Sequence, residues 1–235
     1  MSIKYLTFDA FGTLFNLEGV RPYMYKVVGA RDLELYQRFQ LRLAPYNWYA
    51  NSVQQYQAGQ RYSADIYKVG ASVILQAAGE LGMDVSESQA EEIAVGLGKL
   101  PLFPGIKEAL TELKRVYPLA ILSNGTPECL KSLVSNAGVE AQFEHLLSVK
   151  SAGFFKPDPK VYALGPASLK LKPEEVALVS ANDWDISAAQ MAGLRGIWLS
   201  RKRRTVPVFG VTAEIIAEEL GDLPRVLRET KGAAA

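Results

Sequence analysis

The sequence predicts an α/β fold: a parallel sheet covered on both faces by helices, with a helical segment inserted near its start. Three observations predict it. From about Pro104 onward, short near-continuous apolar runs alternate with stretches of helical periodicity. One more apolar run, at Tyr5 to Phe8, precedes all of these. Between the two regions, residues 16 to about 100 are rich in helix formers, Tyr and Gln, and lack the alternation.

Taken in order, the first run leads into "FDAFGTLF". It ends on a carboxylate, Asp9, and turns at once on Gly12-Thr13. In the insertion, "DLELYQRFQLRL" and "ADIYKVGASVILQAAGELG" have helical periodicity. "KLPLFPG" closes it with two prolines and a glycine, a composition suited to a hinge. "GIKEALTELKRV" reads as a helix, and "PLAILSN" as a strand ending in polar residues. "TPECLKSLVSNAG" opens with Thr126 as cap and Pro127 at the first helical position, and closes on Gly138. "HLLSV" is a strand, and "DPKVYALGPASL" a helix capped by Asp158 with Pro159 behind it. "VALVSAND" is a strand, "DISAAQMAG" a helix ending at Gly193, and "RGIWLS" a strand. The reading gives a sheet domain of residues 1–15 and 101–235, and a helical cap of residues 16–100.

The bulk properties remove several functions. A chain of 235 residues, 49% hydrophobic, can bury a large core as one domain or as a domain with an insertion. The net charge of +1 and the absence of a basic stripe interleaved with aromatics argue against nucleic acid. Arg201-Lys202-Arg203-Arg204 reads as a solvated loop. A single cysteine allows no internal disulfide and no cysteine metal cluster, which fits a reducing cytoplasm. "MSIKYLTF" does not read as a signal peptide, since its apolar run is short and ends on Asp9. No apolar stretch is long enough to span a bilayer, so no membrane contact is expected. The tail "KGAAA" is expected to fray. His145, ahead of a strand, and Cys129, at helical spacing, read as structural. Schemes built on Ser-His-Asp or Cys-His therefore find no support. The chemistry must run on carboxylates, lysine, arginine and hydroxyls.

Ligands of doubly covered parallel sheets sit at the carboxyl ends of the strands. Asp9, Ser123, Lys156 and the cluster from Ser180 to Asp185 each follow a predicted strand. All can converge on one edge. Asp9 is then a carboxylate nucleophile, and Lys156 the cation that keeps it ionised. Ser123 and the backbone near Asn124-Gly125 can hold an anionic group, with helix N-termini after Ser123 and Asn182 adding favourable dipoles.

Four stretches in this order, "FDAFGTL", "ILSNG", "FKPDPKVY" and "VSANDWDISAAQMAG", resemble the motifs of the haloacid dehalogenase superfamily. The resemblance covers nearly the whole chain and implies a Rossmann-like core with an inserted cap. Most members are magnesium-dependent phosphatases with Asp-x-Asp in the first motif and a metal-binding acid in the fourth. Here the second acid is replaced by Phe11, and Ala181 stands in the metal-binding place. Without a metal, Asp9 and Asp185 against Lys156 leave a site near −1, which repels a phosphate dianion. Asp9-Ala10-Phe11-Gly12-Thr13 and Ser180-Ala181-Asn182-Asp183-Trp184-Asp185 resemble instead the L-2-haloacid dehalogenase branch.

That branch implies a hydrolase of carbon–halide bonds with no metal and no cofactor. Asp9 displaces the halide from a short (S)-2-haloacid, and water then hydrolyses the aspartyl ester to an (R)-2-hydroxy acid. A halide leaves without a proton, so Phe11 can wall the halogen end of the pocket. By resemblance, Lys156 and Asp185 orient Asp9, with Thr13 beside it. Ser123 and Asn124 bind the substrate carboxylate, Trp184 lies at the substrate, and Ser180, Asn182 and Tyr162 support the pocket and the water. Tyr162 has an equal reading as a core residue of its helix. The family's cap carries a halide-binding arginine three residues before a Gln-Leu pair. That register falls on Gln37 here, so Arg38 is the expected halide ligand and Arg42 the alternative. "APYNW", just after, is longer than the family's stretch. A homodimer is the family's habit. The rival readings are a phosphatase recruiting metal through Asp183 and a non-catalytic binding protein of the same fold.

Overall fold

The structure is a computed structural model that describes residues 3–43, 65–201 and 213–232. Residues 44–48 ("APYNW"), Ala64 at the start of a predicted helix, residues 202–204 of the basic cluster and the last three alanines lie outside the described residues.

Apolar runs with no polar face become fully buried strands, since only a sheet covered on both sides hides every side chain. β1 (Tyr5–Phe8), β2 (Leu119–Ser123) and β4 (Val176–Ser180) are buried along their whole length. With β3 (His145–Ser148), β5 (Arg195–Leu199) and β6 (Ile215–Ala217) they form a six-stranded sheet in the order β3-β2-β1-β4-β5-β6. Every pairing is parallel. The strand order reverses between β1 and β4, where Thr7 pairs with Leu178. Crossover loops on either side of such a switch point run apart and leave a crevice beyond the strand ends. Asp9 enters that crevice one residue after β1, its N–H still bonded to Val179 O at 3.0 Å.

The inserted segment forms α1 (Arg21–Val28), α2 (32–43), α3 (Ile66–Glu80) and α4 (Glu87–Val95). α3 starts where the Asp65 side chain accepts from Tyr67 N, and α4 where Ser86 and Gln89 form a capping box. Val69, Val73, Ile74 and Ala77 make the buried stripe of α3. The chain leaves and re-enters the sheet region on adjacent backbones. Asn16 N bonds Pro101 O at 2.8 Å, and Phe103 N bonds Leu14 O at 3.0 Å. The returning turn also rests on α6 (Pro127–Asn136), where Ser132 Oγ donates to Gly98 O at 2.8 Å.

Three features differ from the sequence reading. The stretch "DPKVYALGPASL" is two short helices, α7 (Pro159–Tyr162) and α8 (Leu164–Leu169). Pro166 has no N–H to give to Tyr162 O, so the ladder breaks there. β6 and α10 (Leu223–Gly232) were not expected. β6 is only three residues long, too short for a periodic signal, and Leu223 and Leu227 are the buried pair of α10. α5 (Ile106–Lys114) and α9 (Asp183–Met191) fall where the sequence put helices. Thr126 caps α6, accepting from Cys129 N at 3.2 Å, and Gly138 turns the chain beyond it at φ +63°.

The seat of α9 on β5 matters because α9 carries Asp185. A Cβ built on Gly196 would meet Ile186 Cγ2 and Gln190 Cδ at 2.8 Å each. Gly196→Ala should therefore push α9 off the sheet and cost about 1–3 kcal/mol. A urea melt reads this as a lower midpoint; an unchanged midpoint would mean that α9 is not seated tightly on β5.

Candidate active site

Gly12, at φ +77°, lets the chain turn sharply after Asp9 and bring Thr13 back beside it. Thr13 Oγ1 donates to Asp9 Oδ2 at 2.8 Å and accepts from Ala181 N at 3.0 Å. Its hydroxyl is thereby oriented, and it ties the end of β1 to the end of β4. Asn182 is the N-cap residue of α9, yet its side chain does not cap the helix. It reaches across to donate to Asp9 Oδ2 at 3.0 Å and to Phe11 O at 3.4 Å. The Ser180 hydroxyl lies 3.5 Å from that of Thr13 and accepts from Asn182 N at 3.2 Å.

Lys156 is fully buried, and its ammonium bridges two carboxylates. Nζ lies 3.2 Å from Asp9 Oδ1 and 2.9 Å from Asp185 Oδ2. Asp185 is fully buried too, and its other oxygen accepts from the Tyr162 hydroxyl at 2.7 Å. The Lys156 N–H donates to Asn124 Oδ1 at 2.9 Å, which fixes the amide of Asn124. Burial raises the Asp9 carboxyl above its ordinary 3.8, opposed by Lys156 and Thr13 and reinforced by the charge of Asp185. Burial also penalises the Lys156 ammonium, but Asp185 and Asp9 outweigh it and hold its pKa above the usual 10.5. Burial pushes Tyr162 far above the phenolic range, so it stays a donor.

A cavity of about 170 Å³ opens over Asp9. Phe11, Asn124, Asn182 and Trp184 wall it from the sheet side, and Leu17, Gln40, Leu43, Ile66 and Leu97 from the helical side. A second cavity of about 640 Å³ shares Leu17, Gln40, Asn182 and Trp184 with the first and extends past Ser200 and Arg201. The two form an apolar chamber with a wider, more polar vestibule.

Of the residues singled out in the sequence, Asp9, Thr13, Lys156, Ser180, Asn182, Asp185 and Tyr162 form one hydrogen-bonded group. Phe11, Asn124 and Trp184 face the chamber. Ser123 and Tyr162 do not belong to either cavity wall. Ser123 is fully buried, its hydroxyl accepting from Gly125 N at 3.3 Å, and Tyr162 stands behind Asp185. The two arginines weighed as halide ligands, Arg38 and Arg42, both sit on Glu80. Arg38 pairs with Glu80 at 2.7 Å and Arg42 with the same carboxylate at 2.9 Å, and neither lines either of these two cavities. Arg38 and Arg42 are one helical turn apart and share a face, on which both meet Glu80 of α3. Gln40 lies about 200° round the helix from Arg38 and faces the chamber instead. Gln40 was missed, although Tyr36, Gln40 and Leu43 lie at i, i+4 and i+7 and mark one stripe. Arg201 was read as a loop residue; its place at a strand end was the signal.

The donor set does not suit a divalent cation. Lys156 engages both carboxylates, the side chains of Phe11 and Ala181 offer no ligand, and the Phe11 carbonyl accepts from Asn182. Among the described residues, no three Asp, Glu, His or Cys side chains are grouped to hold a metal.

Comparison with known proteins gives a concordant result. Residues 3–193 match the model of the haloacid dehalogenase-like hydrolases. The chain is 30% identical over 227 residues to haloacetate dehalogenase H-2 of Moraxella sp. (strain B), covering 92% of this chain and 98% of that one. It is 30% identical over 254 residues to the (S)-2-haloacid dehalogenase of Xanthobacter autotrophicus, covering 98% and 97%. A solved structure of L-2-haloacid dehalogenase from Xanthobacter autotrophicus, with chloropropionic acid covalently bound, superposes with a TM-score of 0.85. Identity there is 28%, over 96% of this chain and 98% of that one.

Removing the bridging cation should be costly. Lys156→Met leaves two buried carboxylates facing each other, and should destabilise the fold by about 3–5 kcal/mol at pH 7. Without the cation the folded-state pKa of Asp9 rises further above its unfolded value. The deficit should therefore shrink as pH falls through that raised value. Urea melts of both proteins across the acidic range check this. A deficit independent of pH would mean that lost packing, not lost charge, is responsible.

Proposed function

Since the chain belongs to the haloacid dehalogenase-like hydrolase family, we propose that it is a metal-independent (S)-2-haloacid dehalogenase working through Asp9. The observation that carries this reading is the setting of Asp9. A buried carboxylate, held on three sides by Lys156, Thr13 and Asn182, forms the floor of a chamber walled mainly by apolar side chains. No second acid stands at Phe11 to protonate a leaving oxygen, and a halide needs none. In this reading residues 16–100 are a cap that keeps the chamber dry.

The two oxygens of Asp9 are not equivalent. Oδ2 accepts from both Thr13 and Asn182, whereas among the described residues Oδ1 meets only Lys156. Oδ1 is thus the better nucleophile. It attacks the halogen-bearing carbon from the side opposite the halogen, forming a C–O bond as the C–X bond breaks. The halide departs with the electron pair, and the carbon inverts. Oδ2 becomes the ester carbonyl oxygen. When water attacks that carbonyl, negative charge builds on Oδ2, where the Thr13 hydroxyl and Asn182 amide already point. Both oxygens of Asp185 are already held, by Lys156 and Tyr162, so of the two protons of the attacking water one passes to the product oxygen on collapse and the other leaves to solvent through the vestibule. Collapse of the tetrahedral intermediate returns the Asp9 carboxylate and expels the product oxygen, which takes a proton and leaves as an (R)-2-hydroxy acid. Asn124, fixed by Lys156 N, offers its remaining N–H groups to the substrate carboxylate. On the cap side, Gln40 is the polar group that the described residues bring to the chamber.

The direct test is halide release from (S)-2-chloropropionate in the presence of EDTA. A single turnover in heavy-oxygen water should place label in Asp9 before it appears in product, and Asp9→Asn should abolish turnover. Label entering product directly, or activity restored only by magnesium, would sink the proposal.

The pH profile follows from the two shifted groups. Asp9 must be ionised to attack, so turnover falls as pH drops through a midpoint that belongs to the coupled cluster and lies above 3.8. Lys156 stays cationic beyond 10.5, so no loss is expected on the alkaline side up to about pH 10. A plateau that breaks near neutral pH on its basic side would show that Lys156 is not held charged.

A further inference from the structure

We propose that Arg201, at the end of β5, is a positioning residue that braces the turn carrying Thr13 against Asp9. Its guanidinium donates to both Gly12 O and Thr13 O, the two carbonyls of that turn. A planar fork of donors suits two adjacent carbonyls as no lysine can. The plane lies 3.7 Å over the ring of Phe103, which fixes its tilt. The side chain is only 11% exposed, with Glu219 Oε2 3.8 Å away. Arg201 itself sits at φ +44°, a left-handed conformation that a residue with a β-carbon adopts only when its surroundings hold it there. Its N–H, bonded to Glu218 O at 3.0 Å, is one such hold.

The brace meets a weak point. Gly12 is the most pliable residue of the turn, and its backbone alone does not fix where Thr13 sits. Thr13 supplies one of the two hydrogen bonds to Asp9 Oδ2 and takes the N–H of Ala181. Phe103, under the guanidinium, is bonded to Leu14 O. One side chain therefore joins the nucleophile turn, the returning crossover and the end of β5. The other charged groups facing Asp9 are Lys156 and Asp185, and Arg201 touches neither.

This inference rests on the reading of Asp9 as nucleophile, so its test includes a measurement that needs no turnover. Arg201→Gln should lower kcat for (S)-2-chloropropionate by about 10-fold to 100-fold, with KM changed by less than about 3-fold. It should also raise the titration midpoint of the Asp9 carboxyl, followed by carbon-13 NMR, because a slack Thr13 bond favours the anion less. Thr13→Val should give the same signature. The double variant should add little to either, since both act through one hydrogen bond. Arg201→Lys, which keeps the charge but not the fork, should fall between wild type and Arg201→Gln. A folded Arg201→Gln with normal kcat and normal Asp9 titration overturns the proposal, as does full additivity with Thr13→Val. Should Arg201→Gln fail to fold, Phe103→Leu takes its place. It leaves the donors but removes their support, and should move both readouts part of the way; no movement overturns the brace. If wild type releases no halide while the Asp9 titration still shifts, the dehalogenase reading fails and the brace stands.

Discussion

A single ammonium group, Lys156 Nζ, lies between two buried carboxylates, and most of the site exists to make that placement tolerable. Removing three charges from water is expensive, and mutual attraction repays the cost only when the remaining polar atoms are bonded. Here they are. Thr13 and Asn182 take up Asp9 Oδ2, and Tyr162 takes up the free oxygen of Asp185. These partners come from the turn after β1, the cap of α9 and the end of α7. The sheet is the reason they can meet. Parallel strands deliver every such segment to one edge, and the order reversal between β1 and β4 opens room for them.

The charge of this group also selects what it can receive. Two carboxylates and one ammonium sum to −1, and the described residues hold both nearby arginines of α2 on Glu80, away from the chamber. A dianion would enter against repulsion in a medium that screens poorly. A monoanion fits better, particularly one whose far end is apolar and can lie against Phe11, Leu17 and Leu97. The replacement of an acid by Phe11 and of a metal ligand by Ala181 thus describes one change twice. In the proposed reaction the leaving group needs no proton, and a monoanion meets less repulsion here than a dianion would.

The catalytic centre was legible in the sequence because its residues follow strands, and strand ends are visible as the points where apolar runs stop. Asp9, Ser180 and Asp185 could be placed in this way. What escaped were features set by phase rather than by punctuation. On α2 the buried Leu35 and Phe39 fix which way the helix faces, and the chamber side then falls on Tyr36, Gln40 and Leu43. Distance from a Gln-Leu pair does not carry that phase, and each residue of slippage turns the side chain by about 100°. The direction of Ser123 was hidden for another reason. A serine at a strand end can point to the crevice or back into the protein, and Gly125 N draws its hydroxyl inward. Arg201 was hidden by its neighbours, since a run of four basic residues reads as a solvated loop even when its first member is buried.

In the proposed reaction Asp9 attacks as an anion, and burial raises its pKa. A carboxylate that burial has stripped of water is a stronger base than one in solution, and Lys156 needs only to keep it ionised near neutral pH. The cation also has a cost in the first step. As Oδ1 bonds to carbon its charge passes to the departing halide, across the chamber and away from Lys156, so the ammonium favours the ground state over the transition state. The second step reverses this. Charge returns to the carboxyl group on Oδ2, beside Thr13 and Asn182 and within the field of Lys156. The contacts of Asp9 are therefore arranged less to drive the halide out than to hold an anion ready and to make the ester easy to hydrolyse. Ester hydrolysis is the step for which the geometry of Oδ2 is already complete.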